Sequence, residues 1–285
     1  MIVIKLAGGL GNQMFQYALG RHMSLINKTD LFFDLSFFSS KHNYAECDTR
    51  RFTLDNFRIS GKEATGKQVR QLSTSRYLKR LGIYKKSHII DNAGVFNQAI
   101  LKLLGNYYVE GYWSSEKYIS DIRSIILSDF SLKVDLSLGV DLMDWMSDGI
   151  IVSLHCRRGD YVSSTKVNQV YNVCSLDYYQ KAVNYLADKL GRYKILVFSD
   201  DIVWAKENLK FGQETKFATD YKLADYQELI LMSRCQHNIT ANSTFSWWSA
   251  WLNDNPKKIV IVPEKWFNDP KLMENDLVPA QWIRM

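Results

Sequence analysis

The sequence predicts an α/β protein made of two Rossmann-like, parallel-sheet domains, and three observations carry that expectation. Short β-branched runs alternate with amphipathic helical runs in both halves of the chain, the pattern of successive β-α-β units. At 285 residues the chain exceeds one domain of ordinary size and suffices for two, each with its own core. Several apolar runs also end abruptly in polar or charged residues, as strands do where the carboxyl edge of an open sheet meets a ligand.

Taken in order, residues 2–7 alternate β-branched and small apolar types and read as a strand. GGLGNQ follows as a loop, and MFQYALGRHMSLIN repeats its apolar positions at helical spacing. LFFDL, 31–35, completes a β-α-β unit with Asp34 at its tip. The arrangement is close to a dinucleotide fingerprint, but Met14 stands where the third glycine belongs, so close helix packing there is not specified. The loop can still present amides to an anion.

Residues 36–87 are polar, basic and weakly periodic, and are expected to form helices and loops. Beyond them SHIID, 87–91, reads as a strand, FNQAILKLL, 96–104, as a helix, and NYYVEGYW, 106–113, as a strand. Ser114 is the expected N-cap of a helix carrying Ile119, Ile122 and Ile126 on one face. Acidic and glycine breaks over 129–149 mark the boundary, giving domains at 1–145 and 146–285. In the second, strands are expected at 150–155, 194–198, 215–218, 237–240 and 258–262, with helices between them.

Composition narrows the class. The chain is 46% hydrophobic and 23% charged, which belongs to a globular protein and not a disordered one. Its net charge of +6 suits an anionic small ligand and is too diffuse for a nucleic-acid footprint, so no nucleic-acid partner is expected. Basic residues do gather at Lys67, Arg70, Arg76, Lys79, Arg80, Lys85 and Lys86, either facing acidic lipid or forming the solvated side of helices, the simpler reading. The opening MIVIKLAGG lacks the features of a signal peptide or anchor, so the expected location is the cytosol, with loose inner-membrane association as a further expectation. Cys47, Cys156, Cys174 and Cys235 form no CxxC pair and are expected to be reduced packing residues. Sequons at Asn27, Asn238 and Asn242 would then be chance or have other work.

The chemistry concentrates in IIVSLHCRRGDYV, 150–162, where a strand-like run breaks into His155, Arg157, Arg158 and Asp160. Alternation sends the two arginines to opposite faces, so one can fork onto phosphate oxygens while the other pairs with Asp160 or a carbonyl. A surface ion pair beside a turn is the plainer alternative. YKILVFSDD ends in Ser199, Asp200 and Asp201, which either meet a ligand or N-cap the helix IVWAKENL. ADYQELILMSRC is an amphipathic helix bearing Asp225 and Glu228. HNITANSTFSWWSAWL places Asn242, Ser243 and Thr244 at a helix start, where amides and hydroxyls suit phosphate, while Trp247, Trp248 and Trp251 read as core.

The stretches GGLGNQMFQYALG, EGYWSSEKYI, HCRRGDY, VFSDD and HNITANSTFSWWSAW, in one order, resemble glycosyltransferase family eleven, the bacterial α1,2-fucosyltransferases. The resemblance covers residues 1–265, while 36–90, where acceptor recognition would lie, matches no pattern. It implies a GT-B type fold of two Rossmann-like domains facing across a cleft, the first on the acceptor side and the second holding GDP-fucose. It further implies inverting transfer of fucose to the 2-hydroxyl of a β-galactoside such as lactose or a polysaccharide repeat, with no cofactor and no metal. The sequence agrees, having no DxD pair or histidine cluster for a cation, so guanidinium and amide donors must stabilise the leaving diphosphate.

By the same resemblance, Arg158 contacts the β-phosphate, with Arg157 orienting it or holding the domain edge; Ser243 and Thr244 meet the diphosphate, and Gly9, Gly11 and Asn12 approach it from the first domain. Spacing does not rank the two arginines. Guanine offers two adjacent donors that one carboxylate can accept together, and Glu228 is the expected reader, with His155 at the base edge or simply packed. For the general base, Asp160 and Asp34 are the candidates; pairing with an arginine would lower the pKa of Asp160 and weaken it in that role, and late proton transfer needs no strong base. Two other readings stand beside this one. A non-catalytic sugar-nucleotide or glycan-binding protein would not need the arginine and ANST motifs. A dinucleotide oxidoreductase leaves HCRRGDY unexplained.

Overall fold

The computed structural model describes residues 1–39, 50–91, 94–171, 173–268 and 276–285, with backbone alone at 160, 163 and 165–167. It divides into two compact units, Met1–Lys133 with Leu272–Pro279, and Val134–Lys271 with Ala280–Met285. The division falls within the 129–149 break but ahead of the expected boundary at 145/146, because Leu142 and Trp145 pack into the core of the second unit. A short C-terminal segment returns to the first unit, where Asp276 accepts from Phe96 N–H and pairs with Lys117.

In the first unit the strands are β1 (Ile2–Lys5), β2 (Leu31–Asp34), β3 (Lys62–Glu63), β4 (His88–Ile90) and β5 (Tyr107–Glu110). They form a parallel sheet in the order β3-β2-β1-β5-β4. Its helices are α1 (Leu10–Ile26), α2 (Ser36–Ser39), α3 (Gly66–Leu72), α4 (Arg76–Arg80) and α5 (Arg123–Asp129). Ile2, Val3 and Ile4 are sealed from solvent on the central strand, each worth about 1.5–3 kcal/mol of burial. The close packing that a third glycine would have supplied comes instead from Gly20, where a Cβ would press within 3.0–3.2 Å of Leu31 and Ile4.

Two buried glutamines of α1 organise the loops above this sheet. Gln13 donates to the carbonyls of Gly8 and Arg51 and accepts from Thr53 N–H. Gln16 accepts from Ala7 N–H and donates to Gly111 O. Each side chain satisfies backbone groups that burial would otherwise leave unpaired.

Two expected helices of this unit come out differently. Residues 96–104 hold only a 3₁₀ segment, Gln98–Lys102. The helix after EGYW breaks into 3₁₀ turns at Glu116–Tyr118 and Ser120–Ile122 before α5, and its cap is Ser115, not Ser114. The cause is a contact from a distant segment: His22 Nδ1 lies 2.6 Å from Tyr118 O, taking the carbonyl an α-helix would give to Ile122, whose N–H turns to Ile119 O. The two-residue strand β3 is too short and exposed for periodicity to reveal.

The second unit contains β6 (Ile151–Cys156), β7 (Lys194–Ser199), β8 (Glu214–Phe217), β9 (His237–Ile239), β10 (Val260–Val262) and β11 (Ile283–Arg284). All are parallel, in the order β11-β10-β9-β6-β7-β8. Counted from β6, this is the Rossmann order, with the topological switch between β6 and β9. The helices are α6 (Val140–Ser147), α7 (Gly159–Ser163), α8 (Thr165–Val170), α9 (Leu176–Leu190), α10 (Ile202–Asn208), α11 (Asp225–Ser233) and α12 (Thr244–Leu252). Alternation along β6 divides the core. Val152, Leu154 and Cys156 pack under α9, while Ile151 faces a second cluster with Leu142, Leu231 and Met232.

Cys156, Cys174 and Cys235 are buried free thiols, while Cys47 lies outside the described residues. The sequons have internal work: Asn238 donates to Ser153 Oγ and Met232 O, and Asn27 donates to Met23 O and Leu103 O. No described helix is long and apolar enough to cross a membrane.

Candidate donor-binding site

The carboxyl edge of the second sheet gathers three strand ends, those of β6, β7 and β9, around the switch point. An apolar strand stops there because Arg157 and Arg158 must remain near water or an anion. Asp200, at the end of β7, secures both: its carboxylate pairs with Arg157 Nη1 at 2.8 Å and accepts Arg158 N–H at 2.8 Å. Asp201 accepts from Arg158 Nε at 3.2 Å and N-caps α10 through Trp204 N–H. The Arg158 guanidinium also stacks 3.8 Å above the Trp204 ring. Only glycine fits at 159, since a Cβ there would stand 2.6 Å from Asp200 Oδ2. With Nε engaged, the terminal nitrogens of Arg158 have no further partner among the described residues. A pre-oriented fork of this kind is suited to phosphate oxygens.

The two readings of SDD thus divide by residue. Asp201 is the helix cap, Asp200 is the latch on the arginines, and the buried Ser199 accepts Asp201 N–H at 3.1 Å, shaping the turn.

His155 follows Ile151 and Ser153 in alternation and points to the face covered by α11 and α12, with the Phe245 ring centroid 5.6 Å away. Burial drives its pKa down to about 4, Arg157 pushing the same way and Asp200 opposing. Its Nδ1 is buried and has no hydrogen-bond partner among the described residues. A neutral imidazole with an unsatisfied nitrogen is an anomaly in a finished core and an asset beside a ligand.

The ANST tip splits as well. Asn242 is fully buried; its amide donates to Trp266 O, its Oδ1 lies 3.6 Å from Cys174 Sγ, and its carbonyl accepts from Tyr161 hydroxyl. It is a packing residue, contrary to the expectation of donor contact. Ser243 N-caps α12 by accepting Phe245 N–H, and Thr244 opens the helix, both partly accessible. That helix start directs its first amides and positive dipole end toward the edge.

α11 runs back from β8 to β9, so its first turn lies at the same carboxyl edge. The half-buried Glu228 carboxylate has no hydrogen-bond partner among the described residues, and burial, reinforced by Asp225, raises its pKa to about 7. A helix N-terminus alone would favour ionisation; desolvation wins here. A carboxylate in this state is suited to a ligand that donates to it.

Other expected residues lie apart from this constellation. The side chain of Asp160 is outside the described atoms; its backbone lies in the first turn of α7. Asp34 is buried and engaged, accepting Ser36 N–H and the Tyr108 hydroxyl at 2.6 Å, which removes it as a general base. In the glycine loop of the first unit, Gly8 takes the left-handed turn, φ +80°, and Gly9 O receives Asn12 and Gln13 N–H. Gly11 is buried within α1, and Arg50, missed from the sequence, places its guanidinium within 3.2 Å of where a Gly9 Cβ would be. Trp204 was likewise missed: it reads as one more apolar position of a helix, and only the fold brings it beneath Arg158.

The family model "Glycosyl transferase family 11" matches residues 1–285. The Escherichia coli O-antigen biosynthesis glycosyltransferase WbnK is 35% identical, covering 98% of this chain and 99% of its own length. An Escherichia coli alpha-1,2-colitosyltransferase is 30% identical, covering 100% of this chain and 99% of its own. Among solved structures, an Arabidopsis thaliana FUT1 mutant in complex with GDP aligns with TM-score 0.53 and 12% identity over 99% of this chain and 75% of that one. NodZ alpha-1,6-fucosyltransferase soaked with GDP-fucose gives 0.51 and 14% over 91% and 94%. The fold, α/β with two parallel sheets, is of the GT-B type seen in these fucosyltransferases. Its match across all 285 residues, together with relatives similar over their whole length, places the chain in glycosyl transferase family 11.

Proposed function

We propose that this glycosyltransferase moves L-fucose from GDP-fucose to the 2-hydroxyl of a terminal β-galactoside, with inversion and without a metal. The observation that carries the reading is the Asp200-latched pair Arg157 and Arg158 at the switch point, the sheet edge at which α12 also begins. An acceptor oxygen attacks C1 of the sugar while the bond from C1 to the phosphate oxygen breaks, and the diphosphate leaves with the electron pair. Negative charge grows on that leaving group, and fixed donors stabilise it more than the ground state. Arg158 supplies the fork, the α12 start with Ser243 and Thr244 adds amides and hydroxyls, and Glu228 accepts from guanine N1 and the exocyclic amine. Asp160 takes the hydroxyl proton in this scheme. No group of three His, Cys, Asp or Glu suited to a metal occurs among the described residues. Motif similarity also assigns Gly9, Gly11 and Asn12 to the donor; unchanged GDP-fucose affinity in Asn12→Ala would remove that loop.

Two relatives support the nucleotide-sugar and linkage parts, one named for α-1,2 transfer and one solved with GDP-fucose. The colitosyltransferase relative also favours a second reading, in which the donor sugar is colitose. The test is transfer of label from GDP-fucose or GDP-linked colitose to lactose and to polysaccharide repeats, with chelator present and linkage read by NMR. An α1,2-fucosylated product supports the whole reading, preference for colitose transfers it to the second, and absence of GDP binding ends both. A passive binder would bind GDP without turnover, and an oxidoreductase would bind a nicotinamide dinucleotide instead.

A further inference from the structure

Between Glu63 and Asp91 the chain has no acidic residue and seven basic ones: Lys67, Arg70, Arg76, Lys79, Arg80, Lys85 and Lys86. The whole molecule carries only +6, so this segment holds its entire positive excess and the remainder is close to neutral. The same segment exposes large apolar side chains. Tyr77, Leu81, Ile83 and Tyr84 are 71%, 56%, 53% and 49% exposed, all within eight positions.

This excursion is held in a defined shape. At its base Thr74 N–H donates to His88 Nδ1, Lys85 N–H to Thr74 Oγ1, and the Ser87 hydroxyl to Leu72 O. At its tip α4 closes through Gly82 N–H and Ile83 N–H, which reach back to Lys79 O and Leu78 O. The turn therefore presents Leu81, Ile83 and Tyr84 to water. Lys79 is tied to Glu110 and Lys85 to the carbonyls of Arg70 and Gln71, but the side chains of Arg76, Arg80 and Lys86 have no partner among the described residues. A merely solvated helix face has no use for four exposed apolar residues, and a nucleic-acid surface gains little from Leu81 and Ile83.

We propose that residues 74–87 form a docking surface for an anionic lipid bilayer. The apolar tip enters the headgroup boundary, the tyrosines lie at its level, and Arg76, Arg80 and Lys86 meet lipid phosphates. The surface is independent of the donor reading.

The test is sedimentation of the full chain with phosphatidylglycerol–phosphatidylethanolamine vesicles, against neutral phosphatidylcholine vesicles, at low and high salt. Wild type pellets with the anionic vesicles only. A variant with Arg76→Gln, Arg80→Gln and Lys86→Gln binds more weakly by on the order of a hundredfold. Tyr77→Ser with Leu81→Ser and Ile83→Ser keeps low-salt binding and loses the fraction that survives high salt. An unchanged thermal midpoint shows that these exposed substitutions leave the fold intact. Equal binding to neutral vesicles, no binding to anionic ones, wild-type binding by the glutamine variant, or preference for RNA over vesicles at equal phosphate would each overturn the proposal.

Discussion

Asp200 and Arg157 pair at 2.8 Å across the ends of two neighbouring strands, and the same carboxylate takes the Arg158 N–H at 2.8 Å. One side chain of β7 thereby sets the position of two guanidiniums that leave β6. Asp200→Asn keeps the shape and loses the charge. We expect it to reduce transfer by about tenfold to a hundredfold while costing the fold about 1 kcal/mol, because a partly exposed ion pair adds little stability. Kinetics beside a thermal melt separate the two effects; parallel losses would make Asp200 merely structural.

Arg158→Ala removes the fork and its stacking on Trp204. Transfer should fall by about a hundredfold or more, with Arg158→Lys recovering little of it, since an ammonium cannot reproduce the planar pair of donors. Wild-type turnover in either variant would shift phosphate contact to Arg157.

Glu228 has a pKa raised to about 7, so the folded protein holds this proton more tightly than the unfolded chain between about 4.5 and 7. Its contribution to stability is present at low pH and lost as pH rises through about 7. In the ligand-free protein, Glu228→Gln should therefore raise stability at pH 8 by about 1–2 kcal/mol, discounted for partial exposure. Guanine needs the ionised form, so GDP-fucose affinity should weaken roughly tenfold from pH 8 to pH 6, and become weak and pH-independent in Glu228→Gln. Calorimetric titration at both pH values decides it; a flat wild-type profile would move base recognition away from Glu228.

His155 has the opposite sign. Its folded pKa of about 4 lies below the ordinary imidazole value, so the unfolded chain binds the extra proton first. Stability should decline as pH falls from about 6.5 toward 4, and His155→Gln should flatten that limb. Urea unfolding across this window tests it, and an identical acid limb in the variant would place the titration elsewhere.

Gln16→Ala leaves Ala7 N–H and Gly111 O without their partner inside the first unit. A loss of about 1–3 kcal/mol is expected from the unpaired backbone groups, seen as a lower unfolding midpoint. Gln16→Glu should do no better, because a carboxylate cannot donate to Gly111 O.

Much of the strand framework was legible because period and chemistry agree there. β6, β7, β9 and β10 are β-branched or buried runs closed by polar residues, and each lies where periodicity put it. The stretch after Trp113 was misread because its apolar spacing is helical, yet His22, distant in sequence, takes the Tyr118 carbonyl. Asn242 and Asp34 had the right chemistry for a site and were claimed by neighbours: Trp266 O and Cys174 in one case, Tyr108 and Ser36 in the other. No local signal distinguishes an asparagine that meets a ligand from one that fills a core.

By itself the sequence determined the α/β class, the parallel strands and the arginine-rich exit from β6, because these follow from side-chain period and from the cost of burying charge within a strand. Only the tertiary structure decided which polar residues remain available. That choice rests on contacts between segments far apart in the chain: Asp200 on Arg157, Trp204 under Arg158, and the burial that raises Glu228 while it silences His155. Desolvation is a property of the assembled edge, set by what packs beside a residue and not by its neighbours in sequence.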